Sequence, residues 1–112
     1  MSKSILSLGL SPEMLSSLSS RYPAEFCQAA DMSEAFRLLG ETDFSSIILD
    51  SSSFQRVDTA IAELLGQTPF TTLILLLCGE GDEFNHHKLA RMGIRTIKPP
   101  LEVATIVQHL PG

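Results

Sequence analysis

Three side chains that can do chemistry each stand directly after a short apolar run: Asp50, Cys78 and Lys98. A carboxylate can bind a cation, a carboxylate or a thiolate can act as a nucleophile, and an ammonium group can pair with a carboxylate. In an open parallel sheet, ligands bind beyond the carboxyl ends of the strands. We therefore expect these three residues, together with Gly9 at the end of the first apolar run, to lie at one edge of a sheet.

The elements that must position these residues follow a regular order. Short apolar runs alternate with amphipathic stretches, which is typical of an α/β protein with a parallel sheet. Strands are predicted over residues 4–8, 25–28, 46–49, 72–77 and 94–97, each followed by a helix. Because right-handed crossovers place helices on both faces, the predicted fold class is a (βα)5 doubly wound parallel sheet, flavodoxin-like, with strand order 2-1-3-4-5.

Helix bounds are indicated by capping residues and by glycine. Ser11 is a predicted N-cap, with Pro12 at the first helical position. Asp31 and Glu34 form a capping-box pattern for the second helix. The remaining predicted bounds are Gly40, Gly66 and Gly93 as helix ends, Asp82 as a cap for the fourth helix, and Leu101 or Glu102 as the start of the fifth.

Length and composition limit the classes of function. A chain of 112 residues with 44% apolar residues is one domain, residues 1–112, either alone or as the N-terminal domain of a longer regulator. The net charge of -5 argues against direct binding of nucleic acid. The longest apolar run is strand-sized, so no membrane span is expected. Two cysteines without a secretion signal predict thiols and a cytoplasmic protein.

The three strand ends and their spacing carry a family resemblance. The chain resembles the response-regulator receiver domain (CheY-like) along nearly its whole length. That resemblance implies that Asp50 is the phosphoacceptor and that Lys98 is the family's lysine. It places the acidic, metal-binding pair of the family on Gly9 and Leu10, neither of which has a side chain that can ligate a metal.

Two further family positions are changed. Cys78 replaces the hydroxyl residue that ends the fourth strand, and Arg95 replaces the aromatic residue of the fifth. Magnesium prefers several oxygen ligands, and Glu13 is expected to lie inside the first helix, where it is a poor substitute. We therefore expect a vestigial site at Asp50, Cys78 and Lys98, with no bound metal, no cofactor and no catalytic residue.

The interpretation is a degenerate receiver, a pseudo-receiver, that is not an enzyme. It would act in a bacterial two-component system by contacting a protein partner, an attached output domain or a second copy in a homodimer. The resemblance implies an interaction face on the fourth helix, fifth strand and fifth helix, formed by His87, Arg91, Arg95, Val103 and Gln108. Two alternatives stay open: an active phosphoacceptor that uses Asp50 by an atypical route, and a flavodoxin-like domain that binds a small ligand.

Simpler interpretations apply to the same residues. An aspartate after a strand is often a turn former, and Cys78 can be a small buried apolar residue. With the acidic pair absent, Lys98 is expected to pair with Asp50. The resemblance also implies a cis bond between Lys98 and Pro99. The adjacent His86 and His87 point in different directions on a helix, so we expect no metal site there.

Overall fold

The computed structural model describes residues 3–53, 57–68, 72–79 and 86–110. The strands are β1 (Lys3–Leu8), β2 (Ala24–Ala29), β3 (Ser46–Asp50), β4 (Leu73–Leu77) and β5 (Ile94–Ile97). The helices are α1 (Pro12–Arg21), α2 (Met32–Glu41), α3 (Val57–Gln67), α4 (His86–Arg91) and α5 (Val103–His109), and a short 3-10 helix covers Ser51–Ser53. The predicted alternation of strands and helices is confirmed.

The sheet has five parallel strands in the order β2-β1-β3-β4-β5, which confirms the predicted fold class. Leu8 of β1 lies opposite Leu49 of β3, and Asp50 lies opposite Leu77 of β4. Leu77 in turn lies opposite Ile97 of β5. This register aligns the ends of four strands, so the residues that follow them share one edge.

Both faces of the sheet are covered, as in other parallel sheets. We call the two described core clusters the α2–α3 face and the α1–α5 face. The α2–α3 face includes Leu6, Leu8, Ala35, Ile47, Leu49, Ile61, Leu64, Ile74, Leu76 and Cys78. The α1–α5 face includes Ile5, Leu10, Leu18, Ile48, Leu75, Leu77, Ile97, Ile106 and Leu110. Burial on both faces explains why β3 and β4 are almost continuous apolar runs rather than alternating ones.

The predicted caps of the first two helices are confirmed. The Met14 N–H donates to Ser11 Oγ over 3.2 Å, and Pro12 begins α1. The Glu34 N–H donates to Asp31 Oδ1 over 2.9 Å. The Glu34 carboxylate returns to the N–H of Ala30 at 3.3 Å, one residue before the cap. These bonds satisfy N–H groups that have no partner inside their helices.

Other predicted bounds differ from the structure. Gly40 and Gly66 lie inside α2 and α3, which end one residue later, at Glu41 and Gln67. A glycine stops a helix when it adopts the left-handed conformation, as Gly93 does after α4 with φ 86°.

Three more bounds concern the last two helices and the third strand. Helix α5 begins at Val103, after Glu102 in the cap position, and β3 extends to include Asp50. The predicted cap Asp82 lies outside the described residues.

Candidate functional site

The end of β1 is built on a left-handed glycine. Gly9 is exposed and has φ 77°, a conformation that residues with a Cβ adopt only at a cost. Its position beside the end of β3 follows from the pairing of Leu8 with Leu49. The backbone at this point therefore favours glycine over a residue with a carboxylate side chain.

The next residue, Leu10, belongs to the core. Its side chain is only 3% exposed and packs into the α1–α5 face. A carboxylate in this place would be buried among apolar side chains with a large desolvation cost. The apolar residue is thus part of the packing that joins the edge of the sheet to the helices.

Two polar residues hold this loop, and sequence reasoning missed both. The Gln28 amide donates to the Leu10 carbonyl over 2.9 Å, and the Ser7 hydroxyl donates to Gln28 Oε1 over 2.6 Å. Ser7 and Gln28 are register partners on β1 and β2. The available signal was a serine inside the apolar run of β1, because a buried hydroxyl needs a hydrogen-bond partner.

Asp50 is half-buried at the end of β3, and its carboxylate organises the local turn. Oδ1 accepts the Ser52 backbone N–H over 3.0 Å and the Ser52 hydroxyl over 2.6 Å. The 3-10 helix follows directly, starting from the buried Ser51. These contacts match the simpler interpretation, in which the aspartate after the strand forms a turn.

The expected ion pair between Asp50 and Lys98 is wrong. The ion pair found within 4.0 Å among the described residues joins Arg37 and Glu41, and not Asp50 and Lys98. Lys98 is exposed and follows β5, which β4 separates from β3. An exposed ammonium is well solvated, and an exposed ion pair contributes little to stability. The lysine side chain therefore gains little by extending across β4 to Asp50.

Cys78 is an interior residue of the sheet edge. It is 2% exposed and packs in the α2–α3 face, and its backbone N–H donates to the Ile97 carbonyl over 2.9 Å. The thiol lies 3.9 Å from the Leu76 carbonyl. This placement fits the interpretation of Cys78 as a small buried apolar residue.

The expected cis bond between Lys98 and Pro99 is also wrong. The cis bond is the following one, between Pro99 and Pro100. Both bonds precede a proline, and an X–Pro bond adopts the cis form at small cost. The sequence therefore contained two equivalent candidates, and the family resemblance selected the first.

Solved structures with this architecture include response regulators and their receiver domains. A response regulator from Thermotoga maritima matches with a TM-score of 0.78 at 13% identity, over 96% of this chain and 93% of its own. Vibrio cholerae CheY4 matches with a TM-score of 0.70 at 22% identity, over 96% of this chain and 95% of its own. The chain has the receiver fold. No protein-family model matches the sequence, and no curated protein matches it.

A third structure shows the chemistry of another protein with the receiver fold. A response regulator protein from Burkholderia pseudomallei, described with a phosphorylated aspartic acid and a calcium ion, matches with a TM-score of 0.75 at 23% identity. The match covers 97% of this chain and 66% of that one. At this level of identity the likeness concerns the fold.

The residues present do not fit the cation that receiver chemistry uses. Gly9 and Leu10 offer no side-chain oxygen at the end of β1, and Glu13 is an exposed residue in the first turn of α1. The described residues contain no group of three or more His, Cys, Asp or Glu that could hold a metal ion. Among the described residues at the ends of β1, β3, β4 and β5, Asp50 is the one carboxylate that could serve a hard cation, which needs about six oxygen ligands.

The expected interaction face lies at the β5 edge of the sheet, whereas β2 forms the other edge. His87, Arg91, Arg95 and Gln108 are exposed, whereas Val103 is half-buried against the α1–α5 face. The side chain of His86 lies outside the described residues. Arg95 Nη1 donates to the His109 carbonyl over 3.4 Å, which joins β5 to the end of α5.

No helix in the described part of the chain is long and apolar enough to cross a membrane.

Proposed function

We propose that this chain is a pseudo-receiver, a non-catalytic signalling module of a bacterial two-component system in the cytoplasm. It binds a protein partner or an attached output domain without metal-dependent phosphorylation of an aspartate. The observation that carries the proposal is the burial of Leu10, at 3% exposure, where the resemblance places a metal-binding carboxylate.

The chemical reason for proposing a non-catalytic module is the negative charge that develops in the transition state of phosphoryl transfer. The transition state spreads negative charge over phosphoryl oxygens, and a metal ion or preorganised donors must neutralise that charge. Here a left-handed glycine and a core leucine stand where the resemblance places the metal ligands. Asp50 attacking alone would add a further negative charge, so the uncatalysed barrier would remain largely in place.

A second reason is the state of the aspartate itself. Both described hydrogen bonds to Oδ1 come from Ser52, at 3.0 Å and 2.6 Å. A carboxylate that accepts two donors from its own turn is positioned for structure rather than for attack. The buried Cys78 thiol is, in addition, a weak hydrogen-bond donor, so it is poorly suited to hold a phosphoryl oxygen.

The alternative is an active phosphoacceptor that uses Asp50. Its support is the position of Asp50, half-buried at the carboxyl end of β3, together with the phosphorylated aspartic acid of the Burkholderia pseudomallei protein. Under this alternative, Asp50 would exchange its bonds to Ser52 for contacts with the phosphoryl donor.

Intact-mass spectrometry separates the two functions. The protein is incubated with acetyl phosphate, with and without magnesium, and compared with Asp50→Asn. The pseudo-receiver proposal predicts unchanged masses for both proteins in every condition. A magnesium-dependent phosphoryl adduct on the wild type that is absent from Asp50→Asn would establish the phosphoacceptor instead. A receiver domain with an intact acidic pair, treated in parallel, confirms that the donor is active.

A further inference from the structure

A cavity of about 500 Å³ lies at the amino ends of the strands, away from Asp50. Leu65 and Thr68, at the end of α3, form one wall, and Thr72 and Ile74, at the start of β4, form a second. The third wall is the turn from α4 to β5, residues 91–93. Pockets that bind small molecules in proteins have similar volumes, about 300–1,000 Å³.

This cavity is separate from the site at the carboxyl ends of the strands. Asp50 lies opposite Leu77, the last residue of β4, whereas Thr72 precedes the first. The five residues of β4, at about 3.3 Å each, put the two ends about 16 Å apart. A small ligand in the cavity would therefore not touch Asp50.

Part of the lining is apolar. Ile74 is buried in the α2–α3 face, and the half-buried Leu65 packs against the same face. Met92 is 39% exposed, more than any other large apolar side chain in the described part of the chain. Because covering Leu65 and Met92 would remove apolar surface from water, the lining favours a ligand with an apolar body.

The two threonine hydroxyls of the lining already use their hydrogens. Thr68 Oγ1 donates to the Leu64 carbonyl over 2.9 Å, and Thr72 Oγ1 donates to the Phe44 carbonyl over 3.1 Å. A hydroxyl has one hydrogen and two lone pairs, so these oxygens can meet a ligand only as acceptors. The complementary group on the ligand is an N–H or O–H donor.

Arg91 is the charged residue among the described residues of the lining. It is exposed, and no carboxylate of the described residues lies within 4.0 Å of its guanidinium. Glu80, Asp82 and Glu83 lie outside the described residues and precede α4, whereas Arg91 is its last residue. A guanidinium can hold a carboxylate by two parallel hydrogen bonds. It would repel an ammonium group, so the donor on the ligand should be uncharged.

We infer that this cavity binds a small monocarboxylate that has an apolar body and an uncharged hydrogen-bond donor, such as a hydroxyaryl acid. Its carboxylate pairs with Arg91, and its donor bonds to the hydroxyl oxygen of Thr68 or Thr72. Its apolar body covers Leu65 and Met92. The inference goes beyond the proposed function and does not depend on whether Asp50 accepts a phosphoryl group.

The test compares three related compounds. The probe, para-hydroxyphenylacetate, has all three groups, whereas phenylacetate lacks the hydroxyl and para-hydroxyphenylethanol lacks the carboxylate. Each compound is titrated into the labelled protein at constant pH and ionic strength, and NMR shifts of amides and methyl groups give the position of binding and the Kd. Ligands of this size bind with a Kd on the order of millimolar when each atom contributes an ordinary amount.

The expected result is a saturable set of shifts at Thr72, Met92 and Gly93. Loss of the carboxylate weakens binding at least about tenfold, because it removes hydrogen bonds between charged groups. Loss of the hydroxyl weakens binding about three- to tenfold, as for a hydrogen bond between neutral groups.

Two variants locate the carboxylate. In Arg91→Gln, the probe binds at least about tenfold more weakly and no better than para-hydroxyphenylethanol, because its carboxylate has lost its partner. Arg95→Gln is the matched control, since it removes the same charge from a residue whose register partner, Leu75, packs in the α1–α5 face, away from the cavity. It leaves the Kd of the probe unchanged within about twofold. Amide spectra of both variants without ligand confirm that they are folded.

Four results would overturn the inference. Shifts that do not saturate show that the cavity does not bind the probe. Equal affinity of the wild type for all three compounds shows that neither polar group is recognised. Equal weakening by Arg91→Gln and Arg95→Gln shows an effect of net charge. Saturable shifts at Asp50 instead of the cavity place the ligand at the other end of the strands. The comparison of compounds uses the wild type alone, so it decides the question even if a variant does not fold.

Discussion

The ends of β1 and β3 are neighbours in the sheet, with Leu8 opposite Leu49, yet they differ in chemistry. The chain leaves β3 through Asp50, whose carboxylate accepts two hydrogen bonds from Ser52. It leaves β1 through Gly9 and the buried Leu10. At the end of β3 a carboxylate forms the local turn, whereas at the end of β1 the chain continues into the core.

This difference teaches that the receiver fold and receiver chemistry rest on different residues. The fold depends on apolar strands covered on both faces, such as β3 and β4. The chemistry depends on single residues just beyond the strands, which can change without disturbing strand order. At the end of β1, where the resemblance places a metal ligand, Leu10 packs in the core.

The largest expected effect comes from restoring a carboxylate at the end of β1. Leu10→Asp removes apolar packing and buries a charged or neutralised acid, so we expect a loss of about 4 kcal/mol or more in the free energy of unfolding. Leu10→Met, which conserves volume, should cost less than about 1.5 kcal/mol. Urea denaturation measures both. Equal losses for the two variants would show that burial of Leu10 does not explain the missing carboxylate.

A smaller effect is expected at the glycine. Gly9→Ala must place a Cβ in a left-handed conformation, which should cost about 1–2 kcal/mol. The matched control is Gly66→Ala in α3, where an added Cβ meets nothing within 4 Å. That change should stabilise by up to about 1 kcal/mol. Thermal and urea unfolding give both values, and a neutral or stabilising Gly9→Ala would contradict the role given to the backbone at β1.

At the end of β3 the expected effect is about 1 kcal/mol. Asp50→Ala removes the acceptor of the Ser52 N–H and hydroxyl, and a typical hydrogen bond contributes about that much. Asp50→Asn keeps an acceptor oxygen and should cost less. If Asp50→Ala proved more stable than the wild type, the carboxylate would be strained or repelled, as an active-site group can be, and the structural role would be wrong.

The smallest effect concerns Lys98. A double-mutant cycle of Asp50→Ala and Lys98→Ala should give a coupling energy below about 0.5 kcal/mol, because the two side chains form no ion pair. Urea denaturation of the four proteins measures the coupling. A larger favourable coupling would show that the side chains at the ends of β3 and β5 interact, as expected from the sequence in the absence of the acidic pair.

Much of the fold could be predicted because it depends on patterns that extend over many residues. The buried strands and the capped starts of α1 and α2 follow from apolar runs and from Ser11 and Asp31. The ends of α2 and α3 could not be predicted from Gly40 and Gly66. A glycine is compatible with both helical and left-handed backbone, and its neighbours decide between them.

The site was harder to predict because each of its residues has more than one physical role. The resemblance implies a site at Asp50 and places the family's carboxylates on Gly9 and Leu10, which stays a prediction. The bonds from Ser52 to Asp50 depend on the local turn. The cis bond at Pro99–Pro100 was placed one residue too early, since both bonds are X–Pro.

The loop at the end of β1 shows the same difficulty. The contact of Gln28 with Ser7 and Leu10 joins two strands, so it depends on their register, which no local pattern contains.

The central claim, that the strand ends no longer form a metal-dependent phosphorylation site, is tested most directly by NMR. Amide shifts of the labelled protein are followed while magnesium is added to millimolar concentration, and then beryllofluoride, a mimic of the phosphoryl group. The account predicts no saturable shifts at Gly9, Asp50 or Cys78 in either step. Saturable shifts that cluster at these three residues, and that disappear in Asp50→Asn, would contradict it.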